Sequence, residues 1–177
     1  AQEIVTHSFA QSYFHKQNIP IATARAGNVI GGGDWSEDRL MTDVIRAVSA
    51  RVPVELRSAE ATRPWQHVLE PLAGYLSYVE ALLADESIDR SLNFGPSQSH
   101  RVIEVVEIVL ALCPNNAGWV EKKSAEPEAQ ALELDSTRAM SVLGWRPRLT
   151  LDEAVSMVVE WHQNHSSGGN SHATTAA

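Results

Sequence analysis

An apolar segment, Ile19 to Ala24, runs almost directly into Gly27-Asn28-Val29-Ile30-Gly31-Gly32-Gly33-Asp34-Trp35. Three consecutive glycines behind a buried strand mark backbone that turns, or approaches a neighbour, where side chains would obstruct. In an open α/β sheet ligands bind beyond the carboxyl ends of the strands. The polar pivot at that position, Asn28, is therefore a candidate ligand-binding residue. The alternative is an asparagine that ties the turn to its own backbone. The glycines spell neither G-x-G-x-x-G nor G-x-x-G-x-x-G, so they read as a substrate-side loop that could cradle a phosphate rather than as a dinucleotide fingerprint, or else as a plain flexible turn.

Around this loop, strands and helices alternate. Apolar spacing at Ile4, Val5, Phe9 and Phe14 predicts a helix over residues 1–17, ended by Gln17-Asn18-Ile19-Pro20. Ile21 to Ala26 reads as a buried strand. Leu40, Val44, Ile45 and Val48 lie on one face of a helix that closes near Ala50, and Val52 to Leu56 alternates as a short strand. Pro71 suits the first turn of a helix reaching about Leu83. Ser91 to Phe94 reads as a strand, Arg101 to Leu112 as a helix, and Trp119 to Glu121 as an edge strand. Asp135 or Ser136 can cap a short helix that Gly144 ends. Thr150-Leu151-Asp152-Glu153 spells a capping box for a last helix that runs through Trp161. Residues 166–177 are small and polar, with no apolar anchor, and are expected to be disordered. The alternation gives an α/β fold with only three or four strands. That is fewer than a doubly wound sheet carries, so a partial Rossmann-type parallel sheet plus a small C-terminal α/β region is expected over residues 1–165.

Composition narrows the partners. The 177 residues hold 14 Lys and Arg against 22 Asp and Glu, for a formal charge of −8. With no basic cluster, nucleic acid and anionic membranes are excluded as partners, and an anionic ligand must be gripped by a few placed arginines. Arg63, in Thr62-Arg63-Pro64-Trp65-Gln66-His67-Val68, suits that task, because a guanidinium stays charged and binds phosphate oxygens bidentately. Its alternative is a surface arginine paired with Glu60 or Glu70. A single cysteine, Cys113, excludes an internal disulfide and fits a reducing cytoplasm. The stretch Val102 to Cys113 is too short and too charged to span a bilayer. The seven histidines lack metal-ligand spacing with any cysteine or carboxylate cluster, and no metal site is expected.

The glycine run and the Arg63 string together resemble the nucleotide-sugar dehydratases and epimerases of the extended short-chain dehydrogenase/reductase family. The Arg63 string is most similar to the branch that handles CDP-glucose. The resemblance covers nearly all of residues 1–165 and corresponds to the second half of such an enzyme. It implies that Asn28 and Arg63 contact the sugar-nucleotide diphosphate, and that Arg39 and Leu40, in Asp38-Arg39-Leu40, contact base and ribose. In the family pattern a proline follows that segment where Thr42 stands here; the bland alternative is the first turn of an amphipathic helix. Pro127-Glu128-Ala129 resembles a late segment of the same branch, with Pro127 in place of its usual histidine. There Glu128 either faces the nucleotide or is a solvated loop residue. Leu143-Gly144-Trp145-Arg146-Pro147 resembles the family's tail, with Trp145 filling core.

The resemblance also implies NAD as cofactor, a tyrosine and lysine spaced Y-x-x-x-K, and dimerisation through two helices. Tyr13, Tyr75 and Tyr78 have no lysine four residues later, so no residue here is assigned a catalytic role. The opening residues read as a helix already under way, the mark of a partial chain. Such a chain is expected to leave NAD unbound, to expose apolar surface where missing strands would pack, and not to dimerise in the family's manner. Two other readings stay open: a non-catalytic remnant that binds a nucleotide or a protein, and another nucleotide-sugar epimerase or dehydratase.

Overall fold

The computed structural model describes residues 2–85, 87–122 and 129–169. Strand β1 (Thr23–Ala26) pairs in parallel with β6 (Ser91–Phe94), Thr23 opposite Ser91 and Ala26 opposite Phe94. The chain bends at Gly27 and enters β2 (Asn28–Ile30), which pairs in parallel with β5 (Trp65–His67) and sets Asn28 opposite Trp65. Further out, β3 (Val54–Leu56) pairs in parallel with β8 (Trp119–Glu121), and β4 (Thr62–Arg63) pairs antiparallel with β7 (His100–Arg101). Parallel pairs need long crossovers, and helices supply them here. The α/β, Rossmann-type expectation stands, but the strands outnumber it. β2, β4, β5 and β7 are two or three residues long. A strand that short shows no period-two pattern in sequence.

The helices follow the sequence closely. α1 (Gln2–Phe9) continues through a π turn (Ala10–Phe14) and a 3-10 turn (His15–Gln17), ended by Asn18 in the left-handed region at φ 54°. α2 (Leu40–Ala50), α3 (Leu69–Ala84) and α4 (Val102–Leu112) lie where apolar spacing puts them. α5 (Thr137–Leu143) opens with the Asp135 carboxylate accepting the Thr137 amide at 2.9 Å and ends at Gly144, φ 66°. Ser136 does not cap it; its Oγ instead accepts the Gly95 amide at 2.7 Å.

α6 (Leu151–Ser166) opens with the complete capping box: the Glu153 amide donates to Thr150 Oγ1 at 3.3 Å, and the Thr150 amide to Glu153 Oε2 at 2.8 Å. Thr150→Ala is expected to cost about 1 kcal/mol in urea unfolding, the usual worth of such a cap. An unchanged midpoint would show that the box contributes nothing. The helix also outruns its expected end at Trp161 by more than a turn. Ser166, expected to begin a disordered tail, is helical, because Trp161, His162 and His165 are held against Trp35. Ser167, Gly168 and Gly169, expected in the same tail, follow as a turn whose amides donate to the Gln163, His165 and Asn164 carbonyls; residues 170–177 and the Pro127-Glu128 motif lie outside the described residues.

Two apolar cores result. The larger joins α2, β3, α4 and α6 around fully buried Val44, Val105, Val106, Val109, Val155 and Val158. The smaller centres on Phe94, ringed by Tyr75, Tyr78 and Trp145. Trp145 thus fills core as its position in the sequence suggests. The outer face of α3 is different. Leu69, Leu72, Leu76, Val79 and Leu83, spaced three and four apart, are all exposed, Leu76 by 69% and Leu83 by 73%. Such a stripe is a contiguous apolar patch of the sort that ordinarily has a partner.

Candidate functional site

Because β2 and β5 are neighbours, the residues at their ends converge. Gly27 makes the approach possible: a Cβ there would sit 2.4 Å from the Pro64 carbonyl oxygen, and the next amide, Asn28 N, donates to that oxygen at 2.9 Å. A cleft of about 710 Å³ opens alongside. Asn28, Arg39, Leu40 and Arg63, the four residues singled out in the sequence, all line it. They come from a strand, a helix N-cap, the helix's first residue and a second strand. The amphipathic-helix reading of Leu40 is also true, since it begins α2.

Arg63 is only 7% exposed, and its Nη1 donates to the Thr62 carbonyl at 2.8 Å. The two carboxylates offered as surface partners have other partners. Glu60 pairs with Arg101 at 3.0 Å. Glu70 is buried and accepts the Arg148 and Leu149 amides at 2.8 and 2.7 Å. For Asn28, no hydrogen bond from its carboxamide to its own turn is seen among the described residues. Thr42, where the family pattern has a proline, donates from Oγ1 to the Asp34 carbonyl at 3.3 Å and so tethers the β2–α2 loop, which proline could not do.

Four carboxylates also line the cleft, and each has a partner. Asp38 meets Arg57 at 3.0 Å, Asp43 lies 3.8 Å from Arg46, and Glu55 pairs with Lys122. Asp34 accepts the Ser36 amide, which holds its carboxyl below the usual carboxylate range. These pairings soften the negative field an anion would meet there.

Two buried polar groups in the cleft were not anticipated. Trp65, 8% exposed, lines it, and its buried Nε1–H has no hydrogen-bond partner among the described residues. A buried unpaired donor is costly unless something accepts from it. His162, 5% exposed, also lines the cleft, and burial holds its pKa below the ordinary histidine value. Helical spacing does carry this signal: His162 falls on the same face as Val155, Val158 and Val159.

The glycine turn needs a correction. At Gly32 a Cβ would lie 2.2 Å from the Trp161 indole, and at Gly31 one would lie 2.9 Å from Val68. The space a phosphate cradle would need at Gly32 is taken by α6; only Gly31 borders the cleft. Among the described residues, no group of three or more His, Cys, Asp or Glu could hold a metal ion, and no helix is long and apolar enough to cross a membrane.

No family model matches the chain. Against curated proteins it is 38% identical over 170 residues to the CDP-glucose 4,6-dehydratase of Salmonella typhimurium, a match that takes in 91% of this chain and 47% of that enzyme. Among solved structures it superposes on a UDP-glucose 4-epimerase from Stenotrophomonas maltophila with bound NAD, TM-score 0.80, 18% identity, covering 94% of this chain and 54% of that one. A UDP-glucuronic acid 4-epimerase from Bacillus cereus, in complex with UDP-glucuronic acid and NAD, gives 0.79 at 16% identity, over 92% and 50%. The chain therefore has the Rossmann-type fold of the nucleotide-sugar epimerases and dehydratases. Within that group its sequence is similar to CDP-glucose 4,6-dehydratase, and it spans about half the length of that relative.

Proposed function

We propose that residues 1–165 are the substrate-side portion of a CDP-glucose 4,6-dehydratase, the part that grips the sugar nucleotide. The observation behind this reading is that the four residues picked by resemblance to the family line one cleft, in a chain 38% identical to such an enzyme. In the proposal Arg63 and Asn28 hold the diphosphate, and Arg39 and Leu40 meet base and ribose. The acidic chain then holds its anionic ligand by a few placed donors and not by an overall field.

The redox and elimination steps are assigned elsewhere. No Y-x-x-x-K is available, and the buried Tyr78 donates to the Asp89 carbonyl with its pKa pushed up to about 12 by burial, so it is no acid or base near neutrality. In the relatives' setting NAD would serve as hydride carrier, and this chain alone leaves it unbound. The buried thiol of Cys113, its pKa raised by burial, suits a reducing cytoplasm. Isothermal calorimetry of the purified chain tests the reading. CDP and CDP-glucose are expected to bind and NAD is not, and CDP-glucose kept with NAD is expected to yield no 4-keto-6-deoxy sugar. Equal affinity for TDP-, UDP- or GDP-glucose would move the assignment to another nucleotide-sugar enzyme. No nucleotide binding at all would leave the non-catalytic remnant.

A further inference from the structure

The buried His162 has no task in the fold that its chemistry requires. It faces the cleft from α6, and no hydrogen bond to either ring nitrogen is seen among the described residues. Its contacts are aromatic: Trp35 edge-on at 5.1 Å, and its neighbour Trp161 at 5.1 Å and near-perpendicular. A phenylalanine could make both. An imidazole with unused nitrogens, more than nine-tenths buried and opening on a cleft, is instead placed to meet a ligand.

We propose that His162 is an additional anion-binding group of this cleft, taking up a proton from solvent when a diphosphate enters. The proposal rests on the reading that the cleft holds a sugar nucleotide, and adds to it a residue and a proton.

The surroundings set the sign. Two charges act on the imidazole: His165, one turn on and stacked on Trp161, disfavours a second cation, while Asp34 favours one. The elements packed against α6 add little. α4 contributes its buried valines, β2 brings Ile30, and β5 brings Trp65 and the buried His67, whose charge partner is Glu70. Across the cleft stand Arg39 and Arg63 beside the partnered Asp38, Asp43, Glu55 and Arg57. Without ligand, burial keeps His162 neutral at pH 7. A doubly anionic diphosphate reverses that balance and raises the imidazole pKa. The bound form then holds more protons than the free form, so affinity must rise as pH falls through the bound-state pKa.

CDP-glucose is the suitable probe, since its phosphates are both ionised throughout, whereas the terminal phosphate of CDP itself titrates near pH ~6. Calorimetry at pH 6.5 in two buffers of different ionisation enthalpy is expected to show net proton uptake on binding. The dissociation constant is expected to fall by up to about tenfold between pH 8 and pH 5.5, the equivalent of a one-unit pKa rise. His162→Gln should abolish both effects, while His165→Gln should retain them. Should His162→Gln not fold, histidine Cε1 titrations by NMR on the unaltered chain give the same information: one buried imidazole should titrate higher with CDP-glucose than without it. Binding with no proton uptake, or uptake that survives in His162→Gln, overturns the role of His162 and leaves the sugar-nucleotide reading intact. No binding at any pH overturns both.

Discussion

Arg63→Ala is expected to weaken CDP-glucose binding by about 1.5–3 kcal/mol, the worth of a hydrogen bond to a charged group. In a titration that is on the order of a tenfold to hundredfold rise in dissociation constant. The expectation rests on placement. Arg63 sits at the end of a strand locked antiparallel to β7 through the pairing of Arg63 with His100, and it is nine-tenths buried, so its guanidinium reaches the cleft without much side-chain freedom to lose. Arg63→Lys separates charge from shape: it keeps the cation and loses the planar fork, and should recover only part of the affinity. Thermal unfolding of both variants checks that the fold is kept. If Arg63→Ala binds CDP-glucose as the unaltered chain does, Arg63 is not a ligand contact and the diphosphate is held elsewhere.

Much of this arrangement was legible before any coordinates, and the reason differs by residue. α2, α4 and α6 carry their apolar residues at helical spacing because each buries one face in the same core, and burial writes periodicity into sequence. The capping box at Thr150 and the helix stop at Gly144 are local chemistry and were read directly. Asn28 and Arg63 could be named, and expected at one diphosphate, because their neighbours spell a family pattern; the pairing that brings them together, Asn28 opposite Trp65 across 36 intervening residues, leaves no local signal of its own. The glycines keep both readings, phosphate cradle and plain turn, open in sequence for a related reason. Gly32 is small to admit Trp161, a partner 129 positions away, and a glycine excused by a distant side chain looks the same as one that meets a ligand. His162 belongs to no motif in the sequence and stands near the chain's small, polar end. Its place on the buried face of α6 is in the helical spacing, but its contact with Trp35 and its opening on the cleft come only with the tertiary fold.

Phe94→Ala is expected to be the most damaging single change to stability, about 3–5 kcal/mol, the range for removing a buried phenylalanine. Phe94 is fully buried at the end of β6 and touches three rings, with centroids at 5.4 Å (Tyr75), 6.0 Å (Tyr78) and 5.2 Å (Trp145), two of them edge-on. Its ring lies against Gly74 of α3, where an added Cβ would come within 2.3 Å, so helix and strand are at contact distance and cannot close further to fill a void. The loss reaches the site as well, because the Phe94 carbonyl accepts Gln66 Nε2 at 2.7 Å and so fixes β5, the strand that presents Trp65. For a chain of this length the melting temperature should drop by on the order of 6–20 °C. Phe94→Leu, which keeps most of the volume, should cost clearly less. A loss below about 1 kcal/mol for Phe94→Ala would mean that the cluster is not packed in solution, since a cavity that size in a rigid core cannot be so cheap. β6, α3 and α5 would then not form one unit, and β5 would lack the support that holds Trp65 and, two residues before it, Arg63 at the cleft.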